Sequence, residues 1–183
     1  MNITWIEHPS SNYAGRTREN AKADATLLIC VDFDSPGSML TKKSVKEAGK
    51  LLLQIDATNW STSDERVQKI AERMWSKNVK SLNIAGNRGT VFGKHFVSQY
   101  ELDNFVNVLI FKIHQLYPIA EIRCGGQEGG DIAGARAAIK QGIPLTVLAP
   151  KGWKFEDCNG KTISDENKFK ERFKLEPVTI KYK

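Results

Sequence analysis

Cysteine is scarce in this 183-residue chain: Cys30, Cys124 and Cys158 are odd in number and show no C-x-x-C spacing. That excludes a disulfide frame or a zinc knuckle as the basis of the fold. The three histidines, His8, His95 and His114, also lack ligand spacing, so no metal site is expected. No apolar run reaches membrane-spanning length, and the first residues lack a basic-then-apolar signal pattern. A soluble, cytoplasmic protein with no membrane partner is the expectation. The glycine cluster at Gly125–Gly130 does not close on Gly-Lys-Ser/Thr and lacks the G-x-G-x-x-G spacing. A Ser/His/Asp set and a paired-carboxylate motif are missing too. No repeat or low-complexity linker divides the chain, so residues 1–183 are expected to form one domain.

What is present is ordinary globular composition, 40% hydrophobic and 26% charged, with a formal net charge of +6. A positive field favours anionic partners. The lysines are spread along the chain, however, and no stripe of basic and aromatic residues stands out. Nucleic acid is therefore not the expected partner. A small anionic ligand accounts for the charge as well as plain solubility does.

Short apolar runs alternate with helical patterns. Ile3–Glu7 reads as a strand, and Tyr13–Asn20 as a helix with Ser11 or Asn12 as cap. Ala25–Phe33 is almost continuously apolar, as a strand buried on both faces is. A loop at Asp32–Ser38 leads to a helix over Leu40–Gly49 and a second buried strand over Lys50–Asp56. Ser63 caps a helix running to Lys77 whose apolar stripe is Val67, Ile70, Ala71 and Met74. Ser81–Ala85 is a strand, Gly89–Gln99 reads as irregular, and Tyr100–Tyr117 is the longest helix, with Leu102, Phe105, Val106, Leu109, Ile110, Ile113 and Leu116 at helical spacing. A strand at Ile119–Cys124, a helix at Asp131–Lys140 and a strand at Pro144–Leu148 follow. Phe169–Phe173 reads as a short helix, and Val178–Ile180 as an edge strand. The pattern predicts an α/β fold, Rossmann-like, with three α/β/α layers and a mainly parallel sheet.

In such sheets ligands sit beyond the carboxyl ends of the strands. Asp32–Ser38, Gly86–Gly89, Gly125–Asp131 and Pro150–Trp153 all fall on that edge. The glycine cluster is the most distinctive of them: strand, glycine loop and alanine-rich helix place backbone N–H groups where a phosphate binds well. Gly125, Gly126, Gly129 and Gly130 either admit a phosphate or only shape the turn. Gln127 offers hydrogen bonds to a ligand or braces the loop, and Glu128 stands beside it. Asp131 either caps the helix or touches the ligand. Arg16, Arg88 and Lys151 pair with phosphate or with solvent and surface acids. Ser35, Gly37, Ser38 and Thr41 supply hydroxyls and bare backbone for a second phosphate or a ribose, and Gly152 belongs to the last loop. Trp153 stacks on a base or packs. Trp5, Trp60 and Trp75 read as structural. A valine at Gly126 is expected to block ligand approach and spare the fold.

These residues resemble a family. Gly125-Gly126-Gln127-Glu128-Gly129-Gly130-Asp131 with Pro150-Lys151-Gly152 is similar to the S-G-G-Q-T-G-x-D and C-P-K-G pair of bacterial molybdenum cofactor carrier-like proteins, within the SLOG superfamily that also holds the Lonely Guy enzymes. Pro9–Asn20 with Asp24-Ala25-Thr26-Leu27 resembles that family's P-S-x-x-Y-x-x-R-T-x-x-N…S-D-A-T-L, and Leu82–Arg88 its L-N-V-A-G-P-R, with Asn87 in place of proline. The glycine-loop half comes first in the family and second here. The resemblance therefore implies a circular permutant joined near Gln115–Ala120, with the strand at Ile119–Cys124 central and next to that at Ala25–Phe33.

The resemblance implies binding of a phosphate-bearing small molecule, a nucleotide or a molybdopterin-type cofactor, in a carrier-like role. Lonely Guy enzymes use a P-G-G-x-G-T-x-x-E loop, but Ser35–Ser44 has lost its paired glycines and holds no glutamate before Glu47. Non-catalytic binding is expected accordingly. The alternatives are a sponge or sensor for cyclic or ADP-ribose-derived nucleotide signals, and a nucleotide hydrolase using Asp32, Asp34 or Asp131. Relatives of this kind pair through helices, so the long helix is a candidate surface for a homo-oligomer.

Overall fold

A computed structural model describes residues 2–10, 12–59, 61–156 and 161–174. Ser11, Trp60, Cys158 and the expected strand at Val178–Ile180 lie outside the described residues. The elements run β1 (Ile3–Glu7), α1 (Tyr13–Asn20), β2 (Ala25–Cys30), α2 (Pro36–Glu47), β3 (Leu51–Asp56), α3 (Asp64–Ser76), β4 (Ser81–Gly86), α4 (Gly89–Lys94), α5 (Gln99–Leu116), β5 (Glu121–Cys124), α6 (Gly130–Gln141), β6 (Leu145–Ala149), β7 (Lys154–Glu156), β8 (Thr162–Ser164) and α7 (Glu166–Glu171).

Six parallel strands form one sheet in the order β1-β6-β5-β4-β2-β3. One edge pairs late with early chain: Ile3 of β1 registers with Leu145 of β6. Right-handed crossovers place α3, α5 and α6 on one face, and α1 and α2 on the other. The expected three-layer α/β/α fold is present. Because every strand points the same way, the four loops named from the sequence do share one edge.

Sequence chemistry explains the layers. All of β2 is buried, as its unbroken apolar run requires. The helix α5 opens on a capping box in which Ser98 and Glu101 satisfy each other's backbone N–H. Its inner stripe, from Leu102 to Ile113, meets α6. That helix packs close to the sheet because its inward residues, Ala133, Ala135, Ala137 and Ala138, are small and buried.

Several expectations need correction. β5 is central but is not next to β2, because β4 lies between them. β3 is an edge strand whose side chains alternate toward and away from the core along its second half. α2 begins at Pro36, one turn earlier than expected, because Ser35 caps it and proline suits the first helical position. Gly89–Lys94 is a short helix rather than irregular chain. The antiparallel hairpin β7–β8 went unanticipated. Trp75 is 64% exposed and only leans its edge on Tyr117. Leu116 is 51% exposed, whereas Leu109 is sealed in the core.

That contrast can be measured. Leu109→Ala should lower unfolding free energy by about 3 kcal/mol in a urea titration, the usual effect of a core cavity. Leu116→Ala should change it by less than about 1 kcal/mol, having little buried surface to lose.

Candidate functional site

The direction of winding reverses between β2 and β4: β2 connects outward to β3, while β4 connects the other way to β5. The crevice above this switch point is where a doubly wound sheet receives ligands. Asn87 closes its floor and is 3% exposed. Its Oδ1 accepts the N–H groups of Val31 (2.8 Å) and Asp32 (2.9 Å), while Nδ2 donates toward Asp32 O (2.9 Å), Ser35 Oγ (3.0 Å) and Ser38 Oγ (3.0 Å). Asp32 Oδ1 in turn accepts from Asp34 N and Ser35 N, fixing the turn. The hydroxyls of Ser35 and Ser38, expected to face a ligand, are thus engaged inside the protein. In sequence, Asn87 was visible only as a departure from proline.

The loop between β5 and α6 also differs from expectation. The Gly125 N–H donates to Asp131 Oδ2 at 3.1 Å, and the backbone N–H groups of Gln127 and Gly86 also turn toward that carboxylate. Gly129 N–H goes to Gln99 Oε1 (2.8 Å) and Gly130 N–H to Asn87 O (3.3 Å). The donors expected to cradle a phosphate are already bonded, and Asp131 supplies the anion. Asp131 is not the cap of α6; Gly129 holds that position, with no side-chain bond. Burial pushes the Asp131 carboxyl up from 3.8 to about 6, outweighing the opposing pull of Arg16 and the backbone donors.

Two of the glycines are obligatory. Gly129 has φ +102°, and a Cβ there would lie 2.0 Å from Asn87 O. Gly126 has φ +72°, and its Cβ would lie 2.6 Å from Phe169 and 3.1 Å from Phe173. The side-chain direction at Gly126 therefore points into the aromatic cluster under α7, not toward a ligand.

Above the loop lies a cavity of about 560 Å³, bounded by α1, the start of α4 and α5, the hairpin and α7. Three guanidinium groups enter it. Arg16 donates from Nη1 to Gly125 O (2.8 Å), and its buried Nε has no partner among the described residues. Arg88 and Arg16 flank the Tyr13 ring, at 5.8 and 5.7 Å from its centroid. Arg172, which sequence reasoning missed, donates to Gly126 O (3.2 Å), stands 3.8 Å from Glu128 and lies 4.5 Å over Phe155. Burial lowers the pKa of both Arg16 and Arg172, so a bound anion would offset part of their desolvation. Gln127 and Glu128 line the same space. A second cavity of about 460 Å³ holds Ser35, Gly37 and Ser38, and shares Tyr13 and Arg88 with the first.

Lys151 and Gly152 are not brought in. Lys151 is exposed, while Gly152 donates to Glu7 Oε1 and accepts from Ser164, tying the hairpin to the end of β1. Trp153 packs edge-on against Phe169 at 5.6 Å, the packing alternative rather than a base platform.

The family model described as the circularly permutated YpsA SLOG family matches residues 3–95. The chain belongs to that family. The expected SLOG fold and its permutation are borne out by this match. None of the curated proteins matches the chain. Among solved structures the permuted SLOG chain is similar to a provisionally assigned molybdenum carrier protein from Syntrophus aciditrophicus, at 21% identity over 63% of this chain and 78% of that one, with TM-score 0.46. It is also similar to NADH-dependent butanol dehydrogenase A from Thermotoga maritima (13% identity, 83% and 42% covered, TM-score 0.36). A third is the signal recognition particle 54 kDa protein from Aeropyrum pernix in complex with GDP (14% identity, 93% and 45% covered, TM-score 0.33).

The loop geometry yields two expectations. Gly126→Val should cost about 2–4 kcal/mol of stability in thermal denaturation, through steric conflict with Phe169 and an unfavourable φ; unchanged stability would contradict the cluster geometry. Asp131 binds its proton more tightly folded than unfolded, so its ionisation destabilises the fold. Relative to Asp131→Asn, the wild type should lose stability as pH rises from about 4 to about 6 and then level off. Melting curves of both proteins across that window check the sign.

Proposed function

We propose that this protein binds a phosphate-bearing nucleotide or nucleotide-like cofactor at the C-terminal edge of its sheet and acts as a carrier rather than a catalyst. The observation that carries the reading is the convergence of Arg16, Arg88 and Arg172 on one cavity that the half-buried Phe155 ring also lines, with the buried Phe169 packed against that ring. Glu128 balances Arg172, while among the described residues Arg16, Arg88 and the exposed Lys154 are the other cations that line the cavity; of these Arg16 and Arg88 meet at Tyr13. Guanidinium groups suit phosphate because they can donate two parallel hydrogen bonds. The Phe155 ring suits a flat ring system. A molybdopterin-type cofactor makes the same two demands, a cation for its phosphate and a flat surface for its ring, and is the carrier form of this reading.

The test is to incubate the purified protein with a nucleotide panel and analyse what is released on denaturation. Intact ligand supports binding, turnover products would instead favour the hydrolase, and co-purified molybdopterin would identify the cargo. Arg88→Ala should weaken binding of the recovered ligand by about tenfold to a hundredfold, the effect of one charge-assisted hydrogen bond. Its melting temperature should stay near that of the wild type, because Arg88 reaches into the cavity rather than the core.

A further inference from the structure

The two cavities meet at one partition. Arg16 and Arg88 both lie over the Tyr13 ring, whose hydroxyl reaches the first turn of α2, 3.4 Å from where a Gly37 Cβ would be. Both cavities are lined by Tyr13 and Arg88. Each, at about 460 and 560 Å³, is large enough for a ring system.

Their chemistry differs. The smaller chamber is walled by Pro36, Leu40 and Val91, and its Ser35, Ser38 and Asn87 groups are bonded to one another. It offers apolar surface, and among the described residues Arg88 is its single charged lining group. The larger chamber holds the remaining guanidinium groups and Phe155. Cations therefore sit at the divide, with a ring-sized space on either side.

Resting on the functional reading above, we infer that the ligand is bipartite: two ring-bearing halves joined through a phosphate bridge, of the dinucleoside diphosphate class. The bridge lies at Arg16 and Arg88, one ring enters the chamber of Leu40 and Val91, and the other enters the larger chamber on the side of Phe155. A nucleoside monophosphate fills one chamber and leaves the other empty.

Calorimetric titration of the full chain with a nucleoside monophosphate and the matching symmetrical dinucleoside diphosphate, for each common base, tests this. At least one dinucleoside diphosphate should bind about tenfold or more tightly than its monophosphate. Leu40→Trp, which fills the smaller chamber, should bring the dinucleoside diphosphate down to the monophosphate's affinity. Val91→Phe, on the facing wall, provides the same test if the first variant folds poorly. Equal affinities in the wild type, or a gain that survives the filled chamber, would overturn the bipartite ligand while leaving nucleotide binding intact. Binding of neither class would overturn both.

Discussion

One side-chain amide holds the functional edge together. Asn87 sits at the switch point of the sheet with acceptor and donor both satisfied, and its own backbone carbonyl takes the N–H of Gly130. Three loops, after β2, β4 and β5, are thereby joined through one residue. A buried amide is costly unless satisfied, and once satisfied it specifies a single arrangement. The shape of both cavities is consequently set by bonds within the protein, so the proposed ligand would meet a preformed edge.

The charge arrangement follows from that frame. With the glycine loop closed on Asp131, the anion preference of a strand–loop–helix junction is met internally, beneath the cavity rather than in it. In the proposed reading an external anion is drawn chiefly by Arg16 on α1 and Arg88 at the start of α4. Arg16 belongs to both systems, since it bonds the loop carbonyl of Gly125 and flanks the partition at Tyr13. Loss of charge at Asp131 would be felt at Arg16, and through it at the cavity.

Local patterns were legible wherever one element carries its own signal. The apolar run of β2, the stripe of Val67, Ile70, Ala71 and Met74 in α3, and the caps at Asn12 and Ser63 need no distant partner to be recognised. The edge of the sheet on which the loops fall followed from parallel winding alone. Strand order did not, because nothing local in Ser81–Gly86 says that it inserts between β2 and β5. The three-residue strands of the hairpin are too short to show alternation, and Gly89–Lys94, with two glycines, a threonine and a valine, is a weak helix former. Arg172 and Gln99 reach the glycine loop across long stretches of chain, a proximity that only packing creates. Gly126 illustrates the remaining gap: its spacing marks a loop, but the direction of its missing side chain is a property of the folded backbone.

The pairing of β1 with β6 bears on how the molecule forms. Among the described residues, β1 has one neighbour in the sheet, β6, which follows it at the far end of the described sheet-forming chain. Closing such a separation carries a large loop entropy before any contact rewards it, which slows folding. During synthesis the β2–β3–β4 region can assemble while Ile3–Glu7 still waits as an unpaired strand, rich in apolar side chains. The early life of this protein is thus governed by the time its first strand spends alone.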